Sequence, residues 1–115
     1  MSLPFYSMNT YFSKIFKIKP DKEHVFFDWM EEIHMRKEEA VKTFEYEGVR
    51  REVFVTFKNP GGDTYVVGFN EALEAPKKSD KNVEINRKHA EIMRECLEPI
   101  SERGTVVLDL SSKLE

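Results

Sequence analysis

The chain has 115 residues, of which 40% are hydrophobic, 12% aromatic and 34% charged, with a net charge of −3. This length fits a single domain that buries roughly two-thirds of its unfolded surface, and the aromatic content is too high for a disordered chain. Eighteen basic residues against 21 acidic ones, with no run of like charge, argue against a nucleic-acid-binding protein, and no apolar run approaches a membrane span.

The first predicted element is a strand. Residues 11–19 alternate between apolar and polar side chains, as the two faces of a strand do. Pro20 ends this strand because proline cannot donate to a sheet ladder. The face predicted to be buried carries Phe12, Phe16 and Ile18.

A long helix follows the strand. Asp21 is predicted as its N-cap, and apolar residues spaced three and four apart predict a helix over residues 22–47. Gly48 is placed just past its end. A straight helix of this length would approach about 39 Å, so we expect a bend or break near residues 35–37.

Two strands joined by a turn come next. Residues 50–58 and 64–69 alternate, and the intervening residues 59–63 (NPGGD) are a dense turn signal, so the pair is predicted as a hairpin. The faces predicted to be buried carry Val53, Val55 and Phe57 on one strand and Tyr65, Val67 and Phe69 on the other.

The last third of the chain is predicted as a polar lid, a helix and a strand. Residues 70–80 are polar and contain a proline, and residues 81–98 have helical spacing of their apolar positions. Pro99 and Gly104 stop that helix, and residues 105–110 (TVVLDL) are predicted as the last strand. The apolar stripe of the helix carries Ile85, Ile92, Met93, Cys96 and Leu97.

The order β-α-β-β-α-β predicts an α+β fold, a ferredoxin-like sandwich whose four-stranded antiparallel sheet has two helices on one face. The other face is predicted to place one apolar residue near the centre of each strand, within a polar rim. Such a band is typical of an interface, and an exposed Phe54 would cost about 1.5–3 kcal/mol, so we favour a dimer over a solvated face. The predicted dimer interface consists of Ile15, Phe54, Val66 and Val107.

Several short stretches resemble a known group of proteins. They are residues 16–22 (FKIKPDK), Asp28-Trp29-Met30, Glu47-Gly48, Arg87-Lys88-His89 and Glu95-Cys96. Together, over residues 11–110, they resemble an uncharacterised family of small bacterial proteins of the dimeric α/β-barrel, ferredoxin-like superfamily. The resemblance implies a homodimer and no assigned activity. Other proteins of that superfamily include monooxygenases and haem-degrading enzymes, and the fold alone assigns none of these activities here.

His89 is the candidate catalytic residue. It lies on the apolar stripe of the second predicted helix, and histidine titrates near neutral pH. Two roles are possible for His89. It is either a base or haem ligand, or a core histidine that donates a hydrogen bond to a backbone carbonyl. Trp29 and Tyr65 are predicted to wall a ligand pocket with His89, against the alternative that they are ordinary core aromatics.

Other chemistry has less support in the sequence. Glu31 and His34 share a helix face at a metal-binding spacing, but a di-iron site needs further carboxylates, so no metal is predicted. Cys96 is two helical turns from His89, too far for a Cys–His pair, and is interpreted as a small buried hydrophobe. No phosphate-binding or hydrolase motif occurs, and no RNP-like aromatic pattern supports the RNA-recognition fold that shares this element order.

We therefore expect a homodimer that binds a small apolar or aromatic ligand between its helices and its sheet, with no cofactor, nucleic acid or membrane as partner. The alternative is a monooxygenase-like or haem-binding enzyme that uses His89. The single cysteine favours a cytoplasmic location. The domain is expected to span residues 9–112, after an N-terminal extension at residues 1–8 that makes a poor signal peptide.

Overall fold

A computed structural model describes residues 10–73, 77–112 and 114. The described residues form strands β1 (Thr10–Ile18), β2 (Val49–Lys58), β3 (Thr64–Ala72) and β4 (Leu97–Pro99), and helices α1 (Glu23–Met35), α2 (Lys37–Glu47) and α3 (Glu84–Cys96). The sheet order is β2-β3-β1-β4, and all neighbouring strands are antiparallel. The predicted α+β class and four-stranded antiparallel sheet are confirmed, with three helices rather than two.

Some predictions concern residues outside this description. The N-terminal extension at residues 1–8 lies there, as do positions 74–76 of the predicted lid. Residues 70–72 of that lid belong to β3 instead, because they continue its pairing with β1 and β2. Among the residues described, no helix is both long enough and apolar enough to cross a membrane.

The break expected near residues 35–37 is confirmed at Arg36, which separates α1 from α2. Its guanidinium binds Glu32 and Glu39, each at 2.8 Å, and Glu84 at 2.6 Å. Because Glu84 begins α3, this one arginine fixes the α1–α2 junction against the third helix.

The two ends of the divided helix differ in how well the sequence predicted them. Asp21 is not the N-cap: it lies in the 3-10 turn Pro20–Lys22, and Lys22 precedes α1 without a side-chain cap. Gly48 ends α2 as predicted, with φ of 77°, and its N–H donates to the Phe44 carbonyl. Glycine adopts this left-handed conformation because it has no Cβ.

The helices cover the side of β2 and β3 opposite to the predicted one. Val66 is 1% exposed and joins Ile18, Phe26 and Cys96 in the core cluster, with Phe54 packed against it. The predicted placement of Phe54 and Val66 on the open face is therefore wrong.

Strand register explains this reversal. Residues directly opposite each other on neighbouring strands share a face, and Phe16 of β1 lies opposite Val66 of β3. Val66 in turn lies opposite Thr56 of β2, two residues from Phe54. The covered face of β1 thus determines the covered face of the hairpin, even though the other face of the hairpin is more apolar.

The open face of the sheet is consequently more apolar than predicted. Its central row runs from Val55 through Val67 to Ile15 across three strands. Ile15 is therefore on the open face as predicted, 38% exposed, while Val55 and Phe57 are 52% and 51% exposed. The other large side chains on this face are Tyr11, Val53, Tyr65 and Phe69.

The strand predicted at residues 105–110 is wrong. The last strand is β4, which starts immediately after α3, and the chain continues along β1 until the Gly104 N–H donates to the Ser13 carbonyl at 2.7 Å. Residues 105–110 form no strand in the part of the chain that the structure describes, where β1 has three residues before Ser13. Val107 is on no strand and is 92% exposed.

Candidate functional site

A cavity of about 520 Å³ lies between the sheet and α3. Residues of β1, β2, β3 and α3 line it, together with Pro99 of β4 and Arg103. Most of its wall is apolar. The large apolar side chains that line it, together with Pro99, are Phe12, Phe16, Phe54, Met93 and Leu97.

Phe54 lies flat across β3 in this cavity. A Cβ at Gly68 would stand 2.9 Å from the Phe54 ring, so only glycine allows the ring this close to the strand. The ring also stacks with the imidazole of His89, at a centroid distance of 6.2 Å and an angle of 14°. Phe54 therefore connects the sheet to the histidine.

His89 is held in one orientation and one tautomer by Trp29. The Trp29 Nε1–H donates to His89 Nδ1 at 2.9 Å, so the neutral imidazole carries its proton on Nε2. Burial lowers the pKa of His89 below its usual range and keeps it neutral. The imidazole thus presents an N–H donor to its remaining neighbours.

Further contacts hold the Trp29 side chain in place. It is 2% exposed, and the Lys88 ammonium lies 5.1 Å from its ring centroid. Glu32 holds that ammonium at 3.2 Å. Residues on α1 and α3 therefore support the tryptophan that positions His89.

A second cavity of about 280 Å³ lies on the α2 side and shares His89 and Asn70 with the first. Glu47 and Glu52 also line it. Crowding by protein atoms, together with the nearby Glu47 carboxylate, raises the pKa of Glu52 to about 7, although its side chain still reaches solvent. Glu52 is therefore half-protonated near neutral pH.

Asn70 lies between the two cavities. Its Oδ1 is buried and has no hydrogen-bond donor among the described residues. A buried carbonyl oxygen without a donor is costly, at about 1–3 kcal/mol, and is uncommon in folded proteins. Asn70 therefore contributes an unsatisfied buried acceptor to the wall that the two cavities share with His89.

The three predicted ligand-binding residues do not come together. His89 lines both cavities, whereas Trp29 lies behind it and lines neither. Tyr65 lies opposite Phe57 and Lys17 on the open face of the sheet, away from both cavities. The expectation that Tyr65 shares a pocket wall with His89 is wrong, because the strand register that turns Val66 towards the helices turns Tyr65 to the open face.

The sequence also missed several lining residues. Asn70 was assigned to a lid, and Arg94 and Arg103 were not selected, yet all three line the larger cavity. Gly68, an isolated glycine inside a strand, was the one available signal of a close approach at this place. Glu31 and His34 are exposed, and within the described ranges no group of three or more potential metal ligands is found.

These features define an α+β protein whose helices and antiparallel sheet enclose a largely apolar cavity beside a neutral histidine. The chain belongs to DUF6176, a family of unknown function that matches residues 8–113. No curated protein and no solved structure matches it.

Proposed function

We propose that the protein binds a small, mainly apolar or aromatic molecule in the cavity between the sheet and α3. The cavity itself carries this proposal: its volume of about 520 Å³ lies in the range of small-molecule sites, and its wall is formed by aromatic and aliphatic side chains. A few polar groups in an apolar pocket orient a ligand, and His89 and Asn70 both line this one.

The experiment fills the cavity and measures binding. The affinities of 2-naphthol and indole are measured by ligand-observed NMR for the unaltered chain, Met93→Phe and Met35→Phe. Met93 lines the cavity, whereas Met35 is 80% exposed at the end of α1. We expect Met93→Phe to weaken binding about tenfold and Met35→Phe to leave it unchanged. Failure of both probes to bind, or equal binding to both variants, would refute the proposal.

We also propose that two copies associate through the open face of the sheet. Monomeric proteins rarely expose a large contiguous apolar patch, and an apolar centre with a polar rim is the usual anatomy of an interface. Val55, Val67 and Ile15 form the central row of this face, and its charged residues lie towards the strand ends, where Arg51 is opposite Glu71 and Lys17 is opposite Tyr65. This proposal retains Ile15 from the predicted interface and replaces Phe54 and Val66 with residues of the opposite face.

Two exposed valines provide a matched test of the dimer. Val55 is 52% exposed on the open face, and Val41 is 45% exposed on α2. Light scattering should give twice the chain mass for the unaltered protein and for Val41→Glu, and one chain mass for Val55→Glu. A monomeric unaltered protein at high concentration would contradict the proposal, as would a dimer that tolerates Val55→Glu.

Two finer assignments accompany these proposals. The strand order β2-β3-β1-β4 supports a ferredoxin-like fold with a divided first helix and, with the dimer, a dimeric α/β barrel. Cys96, a buried free thiol, supports the expected cytoplasmic location. No observation favours the monooxygenase-like or haem-binding alternative over ligand binding.

A further inference from the structure

The larger cavity is lined by three cationic side chains. Lys14 comes from β1, Arg94 from the last turn of α3, and Arg103 from the segment after β4. Among the described residues that line this cavity, none is an aspartate or glutamate. The chain as a whole has a net charge of −3, so this concentration of positive charge is local.

These cations are not engaged by carboxylates elsewhere. In the part of the chain that the structure describes, the ion pairs involve other lysines and arginines, and none includes these three. Arg103 instead lies over the Phe12 ring at 4.6 Å, and Lys14 lies 5.8 Å from the Phe16 centroid. Aromatic faces hold a cation in place without neutralising it.

A backbone hydrogen bond holds the segment that carries Arg103 against β1. The Gly104 N–H donates to the Ser13 carbonyl at 2.7 Å, and Arg103 lies over the Phe12 ring of the same strand. The position of Arg103 is therefore built into the edge of the sheet.

The smaller cavity lacks this excess of positive charge. Glu47, Glu52 and Lys77 line it, on the far side of His89 and Asn70, so acidic and basic groups share its wall. An anion would therefore be attracted more strongly to the larger cavity than to the smaller one.

We propose that the ligand of the larger cavity is an organic anion: an apolar or aromatic body that bears one carboxylate, with the carboxylate bound by Arg94 and Arg103. This inference rests on the proposed ligand-binding function and names its substrate class. Arginine suits this role because its planar fork binds a carboxylate through two parallel hydrogen bonds.

The test compares probes that differ only in charge. Affinities are measured by calorimetry for 2-naphthoate against 2-naphthamide, and for decanoate against decanamide. We expect each carboxylate to bind about tenfold more tightly than its amide, with an advantage that falls as sodium chloride is added. Equal affinities for acid and amide would overturn the anion inference and leave ligand binding intact, whereas absence of binding by all four probes would overturn both.

Arginine variants then test whether Arg94 and Arg103 cause the tighter binding of carboxylates. Arg94→Gln and Arg103→Gln should each lower carboxylate affinity about tenfold and leave amide affinity unchanged. Arg87→Gln is the control because Arg87 is on α3 but lines neither cavity, and it should change nothing. If a variant does not fold, the salt dependence of the unaltered protein still decides, since an affinity for carboxylate that is insensitive to salt contradicts the inference.

Discussion

At the scale of single residues, the Trp29–His89 pair is the most informative contact in the molecule. Trp29 is the chain's one tryptophan, so its fluorescence reports on this place alone. Its N–H needs an acceptor, and His89 Nδ1 is an acceptor only while the imidazole is neutral. The protonation state of His89 is therefore coupled to the position of the indole.

Acidification should break this hydrogen bond. The pKa of His89 is lowered by burial, so we expect a change in Trp29 fluorescence with a midpoint below the usual histidine value of about 6.5. The unfolded chain takes up the proton first, so the free energy of unfolding also falls as the pH drops below about 6.5. His89→Gln should abolish the fluorescence transition. His24→Gln, a change at an exposed site, should retain it, and persistence of the transition without His89 would contradict this assignment.

Glu52 should make the protein less stable at alkaline pH. Its pKa is raised to about 7, so between the usual value of 4.5 and 7 the folded state keeps a proton that the unfolded chain has lost, and stability falls as pH rises through that range. Because the side chain still reaches solvent, we discount the full penalty and expect Glu52→Gln to stabilise the protein by about 1 kcal/mol at about pH 8, and by roughly zero at about pH 4.5.

Chemical denaturation at the two pH values measures this difference. Glu45→Gln, at an exposed position on α2 that lines neither cavity, controls for the loss of one negative charge. A Glu52→Gln variant no more stable than the unaltered protein at alkaline pH would show that the carboxyl is not penalised by its surroundings.

At the scale of secondary-structure elements, the contact between Gly68 and Phe54 determines how β2 and β3 meet the helices. We expect Gly68→Ala to destabilise the protein by about 1–3 kcal/mol, because the new methyl group would lie 2.9 Å from the Phe54 ring. Gly61→Ala is the control, since its nearest neighbour is an ordinary 3.5 Å contact and its φ is not positive.

Urea denaturation of a double-mutant cycle tests whether the Phe54 ring causes this loss of stability. In a Phe54→Leu background the cost of Gly68→Ala should shrink, because the colliding ring is gone. An equal cost in both backgrounds would mean that the strand itself, rather than the ring, resists the methyl group.

The segment after β4 has two parts with different roles. Ile100 N–H donates to the Ile15 carbonyl, and Ser101 Oγ accepts from the Ile15 N–H, so residues 97–104 complete the edge of β1. Residues 105–112 are exposed throughout. A chain that ends after Gly104 should keep its unfolding free energy within about 0.5 kcal/mol, because little apolar surface is lost from the interior.

A chain that ends after Cys96 is the matched comparison. It loses β4 and the hydrogen bonds to Ile15 and Ser13, and we expect it to be strongly destabilised or unfolded. Thermal unfolding of both truncations tests this division, and strong destabilisation by the shorter deletion would show that residues 105–112 contribute to the fold.

At the scale of the whole molecule, the buried core is small. Among the described residues, the apolar side chains that are buried are Ile18, Phe26, Trp29, Val66, Ala72, Ile85 and Cys96. Of the large apolar side chains that are exposed, Ile15, Val55 and Phe57 lie on the open face of the sheet, and Val106, Val107, Leu108 and Leu110 lie on the segment after Gly104. A dimer through that face would therefore add a second core to a small first one.

A dimer of this kind would make stability depend on protein concentration. If two copies associate through the open face, the midpoint of thermal unfolding should rise by a few degrees for each roughly tenfold increase in protein concentration. Val55→Glu should remove this dependence, and Val41→Glu should not. A midpoint independent of concentration in the unaltered protein would count against the dimer.

The sequence by itself determined the parts that depend on local chemistry. Proline at position 20, glycine at 48 and the turn residues 59–63 located the ends of elements, and helical spacing with excessive length located the break at Arg36. The sequence also indicated that His89 needs a hydrogen-bond partner, because it lies on the apolar stripe of a helix, and that partner is Trp29.

Only the tertiary structure decided which faces meet. Val66 and Tyr65 are neighbours with similar strand propensity, and the pairing of β3 with β1 buries the first and turns the second outward. Asn70, Arg94 and Arg103 come together only because β1, β3, α3 and the segment after β4 converge on one cavity. Alternation along one strand reports that it has two faces, whereas the register with its neighbours, a contact between residues distant in sequence, determines which face the helices cover.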